Sequence, residues 1–297
     1  MTYKISVFIF LLSVAAFGQT LSGNLSLQAN QEISLTTFNA YETVERTSTT
    51  VDNLGNFTLA FDNNYTGIAL LQTQDQSTLP LLLTPTDIQL KGSHLKARSA
   101  LTITPAQNSQ FLQYEEEATL RKRALSAWDY LLESYQNVPL LSSQHHIQET
   151  IIKEQNRITS EETQFIESID PNSYLRWFIG IRQFFYGMAN AAKTPEKHPE
   201  LIEKFRTTDF TNPNFTSSSL FKKLVESHFQ IVRSSGKSKD QINAELNIST
   251  QHLIDNLQST PALLNAVSAG IFDYFEQHTL FEASAYLSMG LLEDSQC

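Results

Sequence analysis

The chain has 297 residues, 41% of them hydrophobic, and carries 31 Asp and Glu against 21 Lys and Arg, for a formal net charge of −10. That length holds one large domain or two modest ones, and the apolar fraction excludes a disordered polypeptide. The acidic balance argues against nucleic acid as a partner and against an electrostatic grip on anionic lipid.

Residues 1–18 read as a signal peptide. Lys4 supplies a positive start and 5–17 form an apolar run. Ala16 and Gly18 are small residues at −3 and −1 of a cut before Gln19. The run is shorter than the about 20 residues a membrane-spanning helix needs. No cysteine follows it to carry a lipid anchor, and no later stretch is long and apolar enough to span a bilayer. The expected location is therefore the periplasm or cell envelope, with no integral membrane span. Cutting there removes Lys4 alone and leaves the mature chain one charge more negative. Cys297 is the one cysteine. It excludes an intramolecular disulfide and a CxxC motif, and it is the candidate for an intermolecular thiol.

Short β-rich runs follow at 21–27, 32–38, 43–51, 57–61, 67–72, 79–83 and 88–90. Alternation is clearest in Ile33-Ser34-Leu35 and Phe57-Thr58-Leu59-Ala60-Phe61. Asp52-Asn53-Leu54-Gly55 reads as a hairpin turn between two runs. This spacing predicts an antiparallel β-sandwich-like domain over 19–104.

From Pro105 the period becomes helical, which predicts an α-helical domain over 105–297 and an α+β fold class with two segregated domains. Thr104-Pro105-Ala106-Gln107, Asp170-Pro171, Thr194-Pro195 and Thr260-Pro261 each set a capping residue before a proline, and Ser238-Lys239-Asp240-Gln241 is a capping box. The first long helix carries Phe111, Tyr114, Ala118, Leu125, Trp128, Leu132 and Tyr135 on one stripe. The second, over 144–169, is more polar and is marked by Ile147, Ile151, Ile158, Phe165 and Ile169. The third carries Tyr174, Trp177, Phe178, Ile181, Phe184, Phe185 and Met188. Further helices are predicted over 196–206, 217–234, 239–258, 262–278 and 280–293.

The third helix has the spacing of a buried face. A ligand groove is the competing reading, with Trp177, Phe178 and Phe185 as its contact surface. His145 and His146 point about 100° apart on a helix and do not converge on one ion. His145 and Glu149 can converge but lack further ligands, so no metal ligand is assigned. Ser219-Leu220-Phe221-Lys222 and Ser234-Ser235-Gly236-Lys237 match S-x-x-K, yet the S-D-N and K-T-G elements of penicillin-recognising enzymes are missing. Glu117 and Arg121 at i, i+4 read as a salt-bridged helix face. No nucleophile elbow, phosphate loop or dinucleotide fingerprint occurs, so no catalytic residue and no cofactor are assigned. An enzyme built on scattered carboxylates and histidines would need a concave pocket gathering at least two shifted titratable groups.

Val51-Asp52-Asn53-Leu54-Gly55-Asn56-Phe57-Thr58-Leu59 resembles the D-x-x-G-x-F signature of an N-terminal β-domain. That domain stands ahead of the thioredoxin-like domain in TlpA/ResA-type envelope proteins, often labelled alkyl hydroperoxide reductase or thiol-specific antioxidant. Gly67-Ile68-Ala69-Leu70-Leu71 and Leu81-Leu82-Leu83-Thr84-Pro85-Thr86-Asp87-Ile88 are similar to its closing strands. Asn172-Ser173-Tyr174-Leu175, Phe205-Arg206-Thr207-Thr208-Asp209-Phe210 and Leu280-Phe281-Glu282-Ala283-Ser284 are similar to its helical part. The family's redox site is a downstream CxxC, which this chain lacks, so no catalytic residue carries over. The resemblance implies a non-catalytic accessory region that docks a thioredoxin-like redox domain or another envelope protein. The alternative is a stand-alone periplasmic binding module for a protein or small ligand. Glu293-Asp294 end the last helix where the dipole prefers cations, which fits a truncated form of a longer redox protein.

Overall fold

The computed structural model describes residues 18–191 and 195–294. The signal peptide, the Thr194 cap and Cys297 lie outside the described residues, apart from Gly18.

Eight strands come first: β1 (Gln19–Leu25), β2 (Glu32–Asn39), β3 (Glu42–Thr50), β4 (Asn56–Phe61), β5 (Gly67–Thr73), β6 (Thr78–Leu83), β7 (Ile88–Gly92) and β8 (Thr102–Thr104). They form two four-stranded sheets, ordered β4-β1-β7-β8 and β3-β2-β5-β6. β1 and β7 run parallel, and the other pairs are antiparallel. Alternation does what it predicts in β4, where Phe57, Leu59 and Phe61 are buried between exposed neighbours. β5 and β6 read instead as nearly unbroken apolar runs, and both of their faces are covered. Asn108 seals the backbone of the edge strand β6: its Nδ2 donates to the Leu82 carbonyl at 2.9 Å and its Oδ1 accepts the Leu82 N–H at 2.8 Å.

The Asp52–Gly55 turn forms, with Gly55 at φ 86° and Asp52 Oδ1 accepting the N–H groups of Leu54 and Asn56. It does not close a hairpin. β3 pairs with β2 and β4 with β1, so the turn hands the chain from one sheet to the other. Turn chemistry is local, whereas the choice of partner strand is made by the facing apolar rows.

The helices are α1 (Ala106–Asn137), α2 (His145–Glu167), α3 (Tyr174–Ala189), α4 (His198–Arg206), α5 (Phe221–Arg233), α6 (Lys239–Leu257), α7 (Pro261–Gln277) and α8 (Phe281–Asp294). The fold is α+β, with sheets and helices segregated along the chain. Among the described residues no helix is long and apolar enough to cross a membrane. The Ser238 capping box forms as read, and Pro261 opens α7. Two starts differ. Thr104 ends β8 and leaves Pro105 as a cap with no side-chain bond. Asp170 turns the chain by accepting the Asn172 N–H, and Ser173 Oγ caps α3 instead.

α5 begins at Phe221 rather than near 217, because the preceding loop is tied to the sheets. The Ala40 N–H donates to the Thr216 carbonyl at 2.7 Å, and the Ile68 N–H to the Ser217 carbonyl at 2.9 Å. Tyr174 Oη donates to that same Ser217 oxygen at 3.1 Å, and Ser217 Oγ donates to the Thr66 carbonyl at 2.7 Å. A Cβ on Gly67 would sit 2.4 Å from Ser217 Cβ and 2.7 Å from its carbonyl oxygen. Only glycine lets β5 start so close to this loop.

The interior is two apolar clusters that meet along α3. Tyr174, Leu175, Phe178 and Ile179 belong to the cluster between the sheets, which Phe111, Leu112 and Tyr114 of α1 extend. Phe184 and Met188 belong to the cluster of α4–α8. Trp177, Ile181 and Phe185 pack against both.

Gly67→Ala should lower unfolding free energy by about 1–3 kcal/mol through overpacking against Ser217. Gly180→Ala, where an added Cβ meets nothing within 4 Å, should raise it by about 0.5–1 kcal/mol through helix propensity. Denaturant unfolding of the two variants beside the parent chain measures both.

Candidate functional site

A concave region where polar and apolar groups converge lies at the end of α5, the start of α6 and the α7–α8 turn. α5 reaches it because Phe221, Leu224, Val225, Phe229 and Val232 bury one side of the helix and carry Arg233 to its last turn. The capping box starts α6 beside it and presents Lys239, Ile242 and Asn243. Together with Thr279, Leu280, Phe281 and Glu282 these groups line a cleft of about 320 Å³.

The turn between α7 and α8 is a Schellman motif. The Thr279 N–H donates to the Glu276 carbonyl at 3.0 Å and the Leu280 N–H to the Phe275 carbonyl at 2.8 Å. Glycine normally takes the left-handed position of this motif. Here a β-branched residue, Thr279, holds φ 56°, at a cost of roughly 1–2 kcal/mol. That backbone is part of the cleft wall.

Charges in the cleft are partly paired. Lys239 Nζ lies 2.9 Å from Glu282 Oε1, and the Asn243 amide donates to the same carboxylate. The bond to Lys239 holds the Glu282 carboxyl below its usual range. Arg233 touches Tyr274 Oη at 3.5 Å. Burial pushes the Tyr274 hydroxyl up, and the Arg233 contact acts in the opposite direction. His278 packs on the Tyr274 ring with centroids 4.4 Å apart, and desolvation, followed by Arg233, pushes its pKa down. Tyr274 and His278 line a second, shallower cleft of about 290 Å³ with Phe185, Lys223 and Glu226. The Arg233–Tyr274–His278 column thus separates two clefts. On the outer face of α8, Phe281 and Met289 are 66% and 57% exposed, and Ala285 lies exposed between them.

The cleft offers two cations, one carboxylate, an amide and an apolar lip. The hydroxyl on its wall, Thr279 Oγ1, donates to the His278 carbonyl at 2.7 Å.

A serine–histidine contact does exist elsewhere. His228 Nε2 lies 2.8 Å from Ser249 Oγ, and Arg206 Nε donates to the same oxygen at 3.1 Å. Arg206 also pairs with Glu245, which Lys237 holds from the other side. His228 Nδ1 has no hydrogen-bond partner among the described residues. Both residues are fully enclosed, and the imidazole stacks on Phe205 at 3.7 Å. Burial, then the Arg206 charge, lowers the His228 pKa well below 6.5. No substrate reaches this pair, so it is part of the core.

The residues singled out by spacing are dispersed. Phe178 is 3% exposed, edge-on to Phe111 at 5.7 Å, and is core rather than contact surface. It belongs to the cluster between the sheets. Trp177 is half-buried against Phe215 at 5.0 Å. Phe185 is half-buried and borders the second cleft. His145 and His146 are exposed, and no group of three metal-binding side chains exists among the described residues. The S-x-x-K lysines are engaged elsewhere, Lys222 over the Tyr41 ring and Lys237 with Glu245. Glu117 and Arg121 do pair. Arg233, Thr279 and Phe281 escape sequence reasoning, since only the positive φ at Thr279 and the exposure of Phe281 mark them.

Among known proteins, no family model matches the chain, and no curated protein and no solved structure matches it.

Thr279→Gly should stabilise the fold by about 1 kcal/mol by removing the left-handed strain, read as a raised thermal midpoint. His228 gives a pH dependence of definite sign. The unfolded ring takes up a proton near pH 6.5 while the folded one resists it. Stability is therefore fully present above pH 6.5 and falls as pH drops below it, by up to about 1.4 kcal/mol per pH unit. Urea midpoints at pH 7.5 and 5.5 should differ more for the parent chain than for His228→Gln.

Proposed function

We propose that this chain is an exported, non-catalytic docking region of a thioredoxin-like envelope system, and that the α5–α8 end receives the redox domain. The observation that carries this reading is the exposed Phe281–Ala285–Met289 face beside the Arg233–Lys239–Glu282 cleft. An apolar centre rimmed by charges is the composition of a protein-docking surface, with a large exposed ring as its anchor. This face sits on the last described helix. In the family that the sequence resembles, the redox domain follows the corresponding segment. The chain lacks a CxxC of its own, so the dithiol chemistry is assigned to a domain supplied by a longer relative or a separate chain.

A stand-alone binding module for a small anion is the second reading. It is favoured by Arg233 and Lys239 in a cleft whose volume lies at the low end of the range for small-molecule sites.

The test is titration of the mature chain with a thioredoxin-like domain encoded in the same genome. Binding should weaken more than about tenfold in Phe281→Glu and Met289→Glu. It should be unchanged in Leu54→Glu, an exposed position on the β3–β4 turn. No binding, or binding indifferent to Phe281, would sink the docking reading. Saturable binding of small carboxylates that is lost in Arg233→Gln would favour the second.

A further inference from the structure

α1 and α2 form an antiparallel arm whose shorter member, α2, is about 35 Å long. The helices pair along Tyr114, Ala118, Arg121, Leu125, Trp128 and Leu132, which recur at alternating steps of four and three residues and face α2 or the base of α3. α1 carries a second seam with the same steps, Leu120, Ala124, Ala127, Leu131 and Ser134, which the capping residue Val138 follows. It is offset from the first by about a third of a turn. None of the described elements covers it. Leu120, Leu131 and Val138 are 62%, 38% and 42% exposed, and Tyr130 on its flank is 70% exposed. A helix with two apolar seams a third of a turn apart has a face for each of two neighbours, and here α2 takes one of them while the other has no neighbour among the described elements.

We propose that the missing neighbour is α1 of a second copy of this chain, packed antiparallel across a two-fold axis that passes between Leu125 and Ser126. The central four residues of the seam name this occupant. Leu120-x3-Ala124-x2-Ala127-x3-Leu131 reads the same from either end. An antiparallel two-fold therefore sets Leu120 against Leu131 of the second copy and Ala124 against its Ala127, and repeats both layers beyond the axis. The alanine layers at the centre let the two backbones approach closely. Arg123 and Tyr130 lie exposed on one flank of the seam. The same axis brings each Arg123 guanidinium beside the Tyr130 ring of the other copy, a cation–π pairing made twice. The seam also faces away from the sheets. α1 buries Asn108, Phe111 and Leu112 at its base, while Gln113 and Glu116, on the line of the seam, are exposed. The seam and the sheet-facing side of α1 thus lie on different faces of the helix. This surface is separate from the α8 face and does not depend on the docking reading.

The experiment is sedimentation of the full mature chain, under reducing conditions so that Cys297 plays no part, up to about 100 μM. The parent chain should form a concentration-dependent dimer. Leu120→Lys and Leu131→Glu each damage both leucine layers, so each variant alone should dissociate at least about tenfold more readily. Both positions are exposed, and unchanged circular dichroism and thermal midpoints check that the variants fold. Mixed in equal amounts, the two variants should recover the dimer. In one leucine layer of the hybrid, the ammonium introduced by Leu120→Lys faces the carboxylate introduced by Leu131→Glu. The other layer keeps Leu131 of the first variant against Leu120 of the second. A parent chain that stays monomeric overturns the proposal, as does a dimer that survives both single changes. Loss in each variant with no recovery on mixing overturns the antiparallel register.

Discussion

One carbonyl oxygen ties the sheets to the helices. The Ser217 oxygen accepts the Ile68 N–H from the start of β5 and the Tyr174 hydroxyl from the first turn of α3, with Tyr65 Oη at 3.4 Å. Three segments far apart in the chain therefore share one acceptor. The contact works only because Gly67 has no Cβ and Ser217 holds its loop open before α5 begins. Burial raises the pKa of the Tyr174 and Tyr65 hydroxyls, which keeps both as neutral donors over the whole working pH range. Moving the loop would release the β5 start, the α3 cap region and the Ala40–Thr216 bond together.

From that point α3 runs between the two interiors. Its first half fills the space under the sheets and its second half fills the centre of α4–α8. Arg182 is the polar crossing in the middle. It is 7% exposed, ion-paired to Glu115 of α1, bonded to Tyr186 Oη and flanked by the Tyr114 and Tyr186 rings. Such a pair adds little net stability, but removing one partner strands a buried charge. Its effect is to fix where the base of the α1–α2 arm leaves the body. A second peg acts at the opposite corner. Tyr41, at the tip of the β2–β3 turn, lies on α7 where a Cβ on Gly270 would collide with its ring. The Ser217 knot and the Tyr41 peg thus tie the β and helical parts together at two corners, and the Arg182 pair ties α1 to α3.

These constraints leave two surfaces outside the packed body. The arm projects because Ile151 and Ile158 are the fully buried residues of α2, and beyond Phe165 and Ile166 at its base the helix packs on α1 and faces solvent. α8 closes the helical cluster with Ala283 and Leu287 while its other side stays apolar and open at Phe281 and Met289. The first surface is self-complementary in sequence. The second is not, and it borders a charged cleft whose wall is held by the strained turn at Thr279. The two faces point to different kinds of partner.

Much of the architecture was legible in the residues. The change from period two to helical period at Pro105, the apolar rows of β2 and β4, the Ser238 cap and the Glu117–Arg121 pair all follow from interactions within a few residues, which a sequence displays directly. The pairing of β4 with β1 rather than β3 was not legible, because a turn motif specifies a bend and not a partner. Nor was the delayed start of α5, since the competing bonds come from Ala40, Ile68 and Tyr174. The burial of Phe178 followed from spacing, but the half-exposure of Trp177 and Phe185 depended on how two clusters meet around one helix. The cleft at Arg233 was invisible for the same reason, as its walls come from three helices and a turn. By itself, then, the sequence determined the α+β class, the element types and the absence of a CxxC, all of which rest on local chemistry. Only the tertiary structure decided which strands pair, which aromatic residues stay open and where charges converge, because those outcomes depend on contacts between segments that the chain order keeps apart.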